Sequence, residues 1–319
     1  MQKNSTKLIF LILLVIICVL LYGFYDIKGG FDYAFPRRMI RVAAMIITGI
    51  AISYSTVVFQ TITHNRILTP PSVMGLDSMY EVVQTFIYFF AGSMSVWIIN
   101  KYLNFGAAVL AMVLFALFLY RFLFRADKHP IYLLLLIGMI LGTLLGSFVT
   151  FLQVMIDPVE YLGLQTLLFA SFTNVKAELL YIAIGILLLS FIYGYRIMKK
   201  LDVMSLGREN AINLGINYDR MVMNILILSS ILIATSTALV GPITFLGLIV
   251  ANLSYQYLVT YKHSVLILGA SLISIVALVG GQFLVEHIFE LRTTISVIIN
   301  FVGGIYFIYL LIKESRASG

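Results

Sequence analysis

Residues 131–155 read IYLLLLIGMILGTLLGSFVTFLQVM, 25 consecutive residues without a charged side chain. A membrane-spanning α-helix needs about 20 predominantly apolar residues to cross a hydrocarbon core roughly 30 Å thick. This run exceeds that length and is continuous. It is therefore predicted to be a transmembrane helix rather than a barrel strand, in which apolar and polar residues alternate. Gly138, Gly142 and Gly146 recur every four residues along it and so share one helical face. Small-x-x-x-small faces let membrane helices approach closely. Two readings of this face stay open: close packing within the subunit, or a place beside a moving pathway or a subunit contact.

The remainder of the chain has the same character. The 319 residues are 61% hydrophobic and 11% charged, where soluble domains are roughly 45–50% apolar and 25% charged. A soluble enzyme, a disordered tail and a disulfide-stapled domain are excluded. Apolar runs punctuated by polar turns predict ten spans, at 8–25, 39–62, 82–99, 104–124, 131–155, 177–198, 220–241, 244–261, 263–285 and 294–312. Together they make one all-α polytopic membrane domain covering 1–319. The first run follows Lys3 and Lys7 as a signal peptide would, but no small-x-small cleavage site follows it, which predicts a retained helix.

The net charge of +7 and a pI near 9.3 fit cationic residues retained on the cytoplasmic side of a membrane, not a nucleic-acid partner. With both termini inside, the inner segments carry Lys3, Lys7, Arg66, Arg121, Arg125, Lys128, Arg196, Lys199, Lys200, Arg208, Arg220, Lys262, Lys313 and Arg316, 14 of the 21 cations. The outer segments carry the other seven: Lys28, Arg37, Arg38, Arg41, Lys101, Lys176 and Arg292. The balance places both termini in the cytoplasm. Four of the seven exceptions cluster in or just after the loop between the first two spans. Arg37, Arg38 and Arg41, with Arg292 at the outer end of the last span, could snorkel to lipid headgroups. They could equally form a docking surface for an acidic partner, since arginine suits bidentate carboxylate recognition, or attract an anionic substrate.

Two connections are longer than a turn. Segment 156–176 opens with Asp157-Pro158, a helix-start signal, and its apolar run is too short to span, so 158–172 is predicted to be an outer interfacial or re-entrant helix. Segment 199–219, KKLDVMSLGRENAINLGINYD, is the longest polar stretch. Asp202 as an N-cap, with Gly207 and Gly215 as stops, predicts two short helices on the inner side.

Reactive groups are sparse. Glu81, Glu178 and Glu286 lie near span ends, as do Arg41 and Arg121, and mid-span positions carry almost no ionisable residue. Proton-coupled carriers commonly hold carboxylates or histidines at depth, so ion-coupled secondary transport is disfavoured. A membrane-embedded enzyme is disfavoured on the same ground. No Gly-x-x-x-x-Gly-Lys-Ser/Thr loop occurs, so by this signature the chain does not itself hydrolyse ATP. His64, His129, His263 and His287 fall at loops or span ends and read as satisfied interfacial histidines, not metal ligands. The lone Cys18 permits no internal disulfide.

Two stretches carry a family resemblance. Phe35 to Gly75, FPRRMIRVAAMIITGIAISYSTVVFQTITHNRILTPPSVMG, is similar to a Pro-Arg, Gly-containing span, Gln and Asn-Pro-Leu-Ala pattern. Leu206 to Lys313 contains LGRENAINLGI, GPITFLGLIVANLSY and LGASLISIVALVGGQFLVE. In order, spacing and span count these resemble the permease subunits of ATP-binding-cassette importers for ferric siderophores, haem and vitamin B12, the FecCD type. The chain departs from the family at Asn65-Arg66-Ile67-Leu68, at Ala251-Asn252 and at Thr293-Thr294-Ile295-Ser296, which resembles a branch associated with catecholate siderophores.

The resemblance implies a type II importer permease in a bacterial cytoplasmic membrane, with no cofactor of its own. It implies a second permease, same or homologous, two ATPase subunits that use ATP and Mg, and a substrate-binding protein. Leu206, Gly207, Arg208, Ala211, Leu214 and Gly215 would couple to the ATPase. Arg37, Arg38, Arg41 and Arg292 would dock the binding protein, which accounts for their position on the outer side. Gly138, Gly142 and Gly146 would lie in the gating region. A ferric siderophore is the implied cargo, with haem or cobalamin as the alternative.

Overall fold

In a computed structural model, residues 2–25, 31–63, 75–123, 130–291 and 293–317 are described, and every regular element among them is a helix. In chain order these are α1 (Gln2–Phe24), α2 (Phe31–Thr63), α3 (Leu76–Ala91), α4 (Val96–Ile99), α5 (Lys101–Leu123), α6 (Pro130–Met155), α7 (Pro158–Leu168), α8 (Ala177–Met204), α9 (Arg208–Asn213), α10 (Tyr218–Val240), α11 (Leu246–Tyr257), α12 (His263–His287) and α13 (Ile295–Ala317). Eight of them, α1, α2, α5, α6, α8, α10, α12 and α13, are long and apolar enough to cross a membrane. The predicted third and eighth spans correspond to shorter helices, α3 with α4 and α11.

Three helices form the centre. In the most apolar window of α2, 78% of residues are buried, with 72% for α10 and 56% for α12, whereas the other five long helices have 17–28% buried and leave most of their surface to surroundings outside the chain. The centre packs tightly because α2 is rich in small residues, among them Ala44, Gly49, Ala51, Ser53 and Ser55. Two of its hydroxyls reach neighbouring backbone: Ser53 donates to the Ala270 carbonyl of α12 at 3.2 Å, and Ser55 donates to the Ser229 carbonyl of α10 at 3.2 Å. α2 and α12 run antiparallel. Arg41 meets Glu286 at one end of the pair and Thr61 meets His263 at the other, which marks the two ends of the bundle.

Several boundaries differ from the sequence expectation, among them α2, which begins at Phe31 rather than 39 and so takes in Arg37, Arg38 and Arg41. The span predicted at 82–99 begins earlier and is broken: α3 starts at Leu76 and stops at Gly92, whose φ of +75° lies in a region where side-chain-bearing residues are strained, and α4 follows. Segment 199–219, predicted to lie on the inner side, holds one short helix rather than two. Residues 199–204 continue α8, because Leu201 and Met204 extend the buried stripe of Ile197, and the first break comes at Gly207 with φ +99°.

Candidate functional site

At the end marked by Arg41, the first turns of α2, the C-terminal turns of α12 and the connection after α7 enclose a polar cavity of about 700 Å³, lined by Arg37, Arg38, Arg41, Ser171, Thr173, Asn174, Gln282 and Glu286 among others. The three arginines have different environments. Arg38 donates to the carbonyls of Tyr22 at 3.0 Å and Tyr25 at 2.6 Å, closing the carbonyl end of α1, where a cation also complements the helix dipole. Arg41 pairs with Glu286 at 3.3 Å. That carboxylate also accepts from the Tyr22 hydroxyl at 2.8 Å and the Gln282 amide at 2.9 Å, so it ties α1, α2 and α12 together. Arg37 is exposed, with its guanidinium 4.1 Å from the centre of the Tyr33 ring. The fourth predicted member, Arg292, lies outside the described residues.

At the opposite end, α9 projects between two glycines in positive φ, Gly207 at +99° and Gly215 at +84°. These turns let the chain reverse out of α8 and back into α10 without strain. The six residues named from the sequence divide into two groups. Ala211 is fully buried and anchors α9 to the bundle. Leu206 and Leu214 are 56% and 63% exposed, and Ile212 joins them as a third apolar side chain facing outward. Arg208 is exposed, reaches Asp219 at 3.4 Å and lies near the Tyr218 ring. The result is a small apolar knob on a polar rim.

The glycine face of α6 also divides. A Cβ on Gly142 would stand 3.3 Å from the Gly75 Cα, and one on Gly75 would stand 3.4 Å from the Gly138 carbonyl oxygen, so these glycines permit the head of α3 to lie against α6. Gly146 has open space around it. It lines a second cavity, of about 570 Å³, with Thr143, Ser147, Thr150, Gln153 and Glu81, roofed by Gln165 and Leu168 of α7. Asp157 caps α7 by accepting from the Val159 N–H at 2.8 Å, and the helix ends at Leu168, short of the predicted 172. Behind it, the Ser171 N–H donates to the Val240 carbonyl at 2.8 Å, and a Cβ on Gly241 would clash with Ala170, which fixes the α7–α8 connection to the Gly-Pro break after α10.

Sequence reading missed Asp77. It sits in the first turn of α3, 7% exposed, and accepts from Thr244 at 2.9 Å and Thr237 at 3.5 Å. Its carboxylate therefore joins α3 to the Gly241-Pro242-Ile243-Thr244 break between α10 and α11. Placing the third span at 82 left Asp77 outside the membrane. Its position two residues after a glycine and at the head of an apolar run was the available signal. Among the described residues no group of three or more His, Cys, Asp or Glu could hold a metal ion.

The helical bundle carries a glycine-flanked knob at one end and a polar basin at the other, and residues 11–313 match the FecCD transport family, to which the chain belongs. It is 53% identical to the petrobactin import system permease protein YclO of Bacillus subtilis (strain 168) over 316 residues, covering 99% of this chain and all of that one. It is 37% identical to the petrobactin import system permease protein FatC of Bacillus anthracis, covering 87% of this chain and 78% of that one. Among solved structures, a metal-chelate-type ABC transporter in an inward-facing conformation matches with a TM-score of 0.82 at 25% identity, covering 97% of this chain and 99% of that chain.

Proposed function

We propose that the chain is a permease subunit of an ATP-driven importer that takes up a ferric siderophore of the petrobactin kind, delivered by a substrate-binding protein. The observation that carries this reading is the 53% identity to YclO across essentially the full length of both chains. In this reading the eight long helices, with α3 and α11 completing ten crossings, form one permease domain with both termini in the cytoplasm of a bacterial cell. The inner segment 199–219, centred on α9, seats in a separate ATPase subunit. Its apolar knob of Leu206, Ile212 and Leu214 gives that subunit something to grip, while Ala211 passes the force inward. A second permease, the same chain or a homologue, covers part of the apolar surface that the peripheral helices leave exposed.

At the outer end, Arg37 is the one of the three described arginines available for acidic residues of the binding protein, because Arg38 and Arg41 already bind within the bundle. The hydroxyl-lined cavity beside Gly146 and Glu81, under α7, is a candidate stretch of the pathway. Haem or cobalamin import would use the same architecture. The test is uptake of iron-loaded petrobactin by proteoliposomes containing the complete importer, against haem and cobalamin. ATP-dependent uptake of ferric petrobactin supports the reading, and transport driven by an ion gradient without the ATPase overturns it.

A further inference from the structure

The Asp202 carboxylate, two residues before the end of α8, does cap a helix, but the helix is α12. Its Oδ1 lies 2.8 Å from the main-chain nitrogen of His263, the first residue of α12, and 2.6 Å from the Nδ1 of the same residue. The imidazole is 3% exposed, and its Nε2 lies 2.8 Å from the Thr61 hydroxyl in the last turns of α2. One continuous chain of short contacts thus crosses from α8 through α12 to α2, across residues 61 and 202 positions apart in sequence. His263 and Thr61 are buried, and in low dielectric such contacts are strengthened, whereas the Asp202 side chain at the α8 end is 32% exposed.

Its proton inventory closes in two ways. With Nδ1–H donating to Asp202, the Thr61 hydroxyl donates to Nε2. With both ring nitrogens protonated, Thr61 accepts and turns its own proton to the Val57 carbonyl, 2.9 Å away. Neither arrangement leaves a buried donor or acceptor unpaired.

The position of this chain is what gives it a role. α9 follows Asp202 by only a few residues and lies between α8 and α10, so its displacement reaches the last turn of α8 and the first turn of α10 directly. α8 also packs one stripe, Leu180 to Met204, on α10 and α2 but leaves most of its apolar surface outside the bundle, whereas α2 is the most buried span. We propose that Asp202, His263 and Thr61 act as a strut that transmits movement of the coupling helix α9 into the α2–α12 core, with His263 as the positioning residue at its centre. The proposal rests on the reading of α9 as the ATPase contact.

The test uses the complete importer in proteoliposomes, with its binding protein and iron-loaded petrobactin. His263→Ala and the isosteric Thr61→Val should raise the ATP hydrolysed per iron delivered by about tenfold, at the lower end of usual coupling factors, while ATPase activity without binding protein stays within about twofold. Asp202→Asn keeps an oxygen that accepts the His263 N–H and should couple nearly as the wild type does; Asp202→Leu should not. A readout that simple destabilisation does not move is hydrogen exchange at residues 57–63: ATP binding should alter it in the wild type and not in His263→Ala or Thr61→Val.

An unchanged ATP-to-iron ratio in both variants, or an intact exchange response, overturns the strut. Arg208→Glu in α9 is the reference. If it uncouples while the strut variants do not, the strut alone fails; if it couples normally, the reading of α9 fails and the strut with it. Should His263→Ala assemble poorly, Thr61→Val, which preserves side-chain volume, decides.

Discussion

Gly142 of α6 and Gly75 at the head of α3 touch backbone to backbone: a Cβ on either would stand 3.3 Å from the other's Cα. Gly75 also holds φ at +88°, so it resists substitution for conformational as well as steric reasons. Gly142→Val should therefore force α3 away from α6, at about 1–3 kcal/mol of overpacking. The expected result is a lower thermal midpoint in detergent and a loss of uptake. Gly146→Ala, facing open space inside a helix, should leave stability unchanged or raise it by up to about 1 kcal/mol. Equal effects of the two substitutions would remove the distinction between them.

The outer arginines should separate in the same way. Arg38→Ala leaves the carbonyl end of α1 without its donor and should lower stability by about 1 kcal/mol, read as a reduced melting temperature. Arg37→Glu should leave melting unchanged but weaken capture of the loaded binding protein. That defect should fade as salt rises above about 0.15 M, where the screening length falls below roughly 8 Å. Affinity indifferent to both charge and salt would reduce Arg37 to its contact with Tyr33.

Breaking the Arg41–Glu286 pair from either side should cost more than exchanging it. Arg41→Glu places two carboxylates together beside the hydroxyl of Tyr22, whereas the double exchange Arg41→Glu with Glu286→Arg restores opposite charges. A double-mutant cycle on thermal stability should give a favourable coupling of about 0.5–3 kcal/mol. Additive effects would show that the contact contributes nothing.

Asp77 should prove structural. Asp77→Leu removes the acceptor 2.9 Å from the Thr244 hydroxyl and should cost about 1–3 kcal/mol, while Asp77→Asn, with an oxygen still present, should cost less. Uptake by the Asp77→Asn importer should remain ATP-dependent and insensitive to collapse of the proton gradient. Dependence on that gradient in the wild type, lost in Asp77→Asn, would instead make this carboxylate an ion site.

At the inner end, Gly215→Pro should leave membrane insertion intact and abolish uptake. Proline is locked near φ −65° and cannot take up the +84° of this turn, so α9 would be re-aimed. Protease accessibility and ATPase copurification, measured beside uptake, separate a misdirected coupling helix from a misfolded chain. Normal uptake would sink the assignment of 199–219 to the ATPase contact.

Much of the fold was legible because its signals are local. An apolar run long enough to cross a bilayer is recognised from its own residues, as in 131–155, and a cap or stop from its immediate neighbours, as at Asp157 and Gly207. Where a boundary depended on a conformation rather than on polarity, reading failed. Gly92 interrupts an otherwise apolar stretch, and only its positive φ reveals that α3 stops there. Lys199 and Lys200 looked like the end of α8, but Leu201 and Met204 behind them are buried and prolong it.

The site was less legible, because its chemistry lies in pairings between distant positions. The cluster of Arg37, Arg38 and Arg41 was visible; that two of the three are bonded within the chain was not, since their partners are Tyr25 and, 245 positions away, Glu286. Asp202 was recognisable as a cap, and the helix it caps starts 61 residues later. By itself the amino-acid sequence determined a membrane-embedded helical permease with a long polar loop and a separate cationic cluster, because hydropathy, charge bias and turn residues act within a span or a turn. Only the tertiary structure decided which charges are spent within the bundle, which glycines touch, and how the inner loop is joined to the core. Those outcomes depend on the packing of helices, where a shift of one residue in register changes every partner.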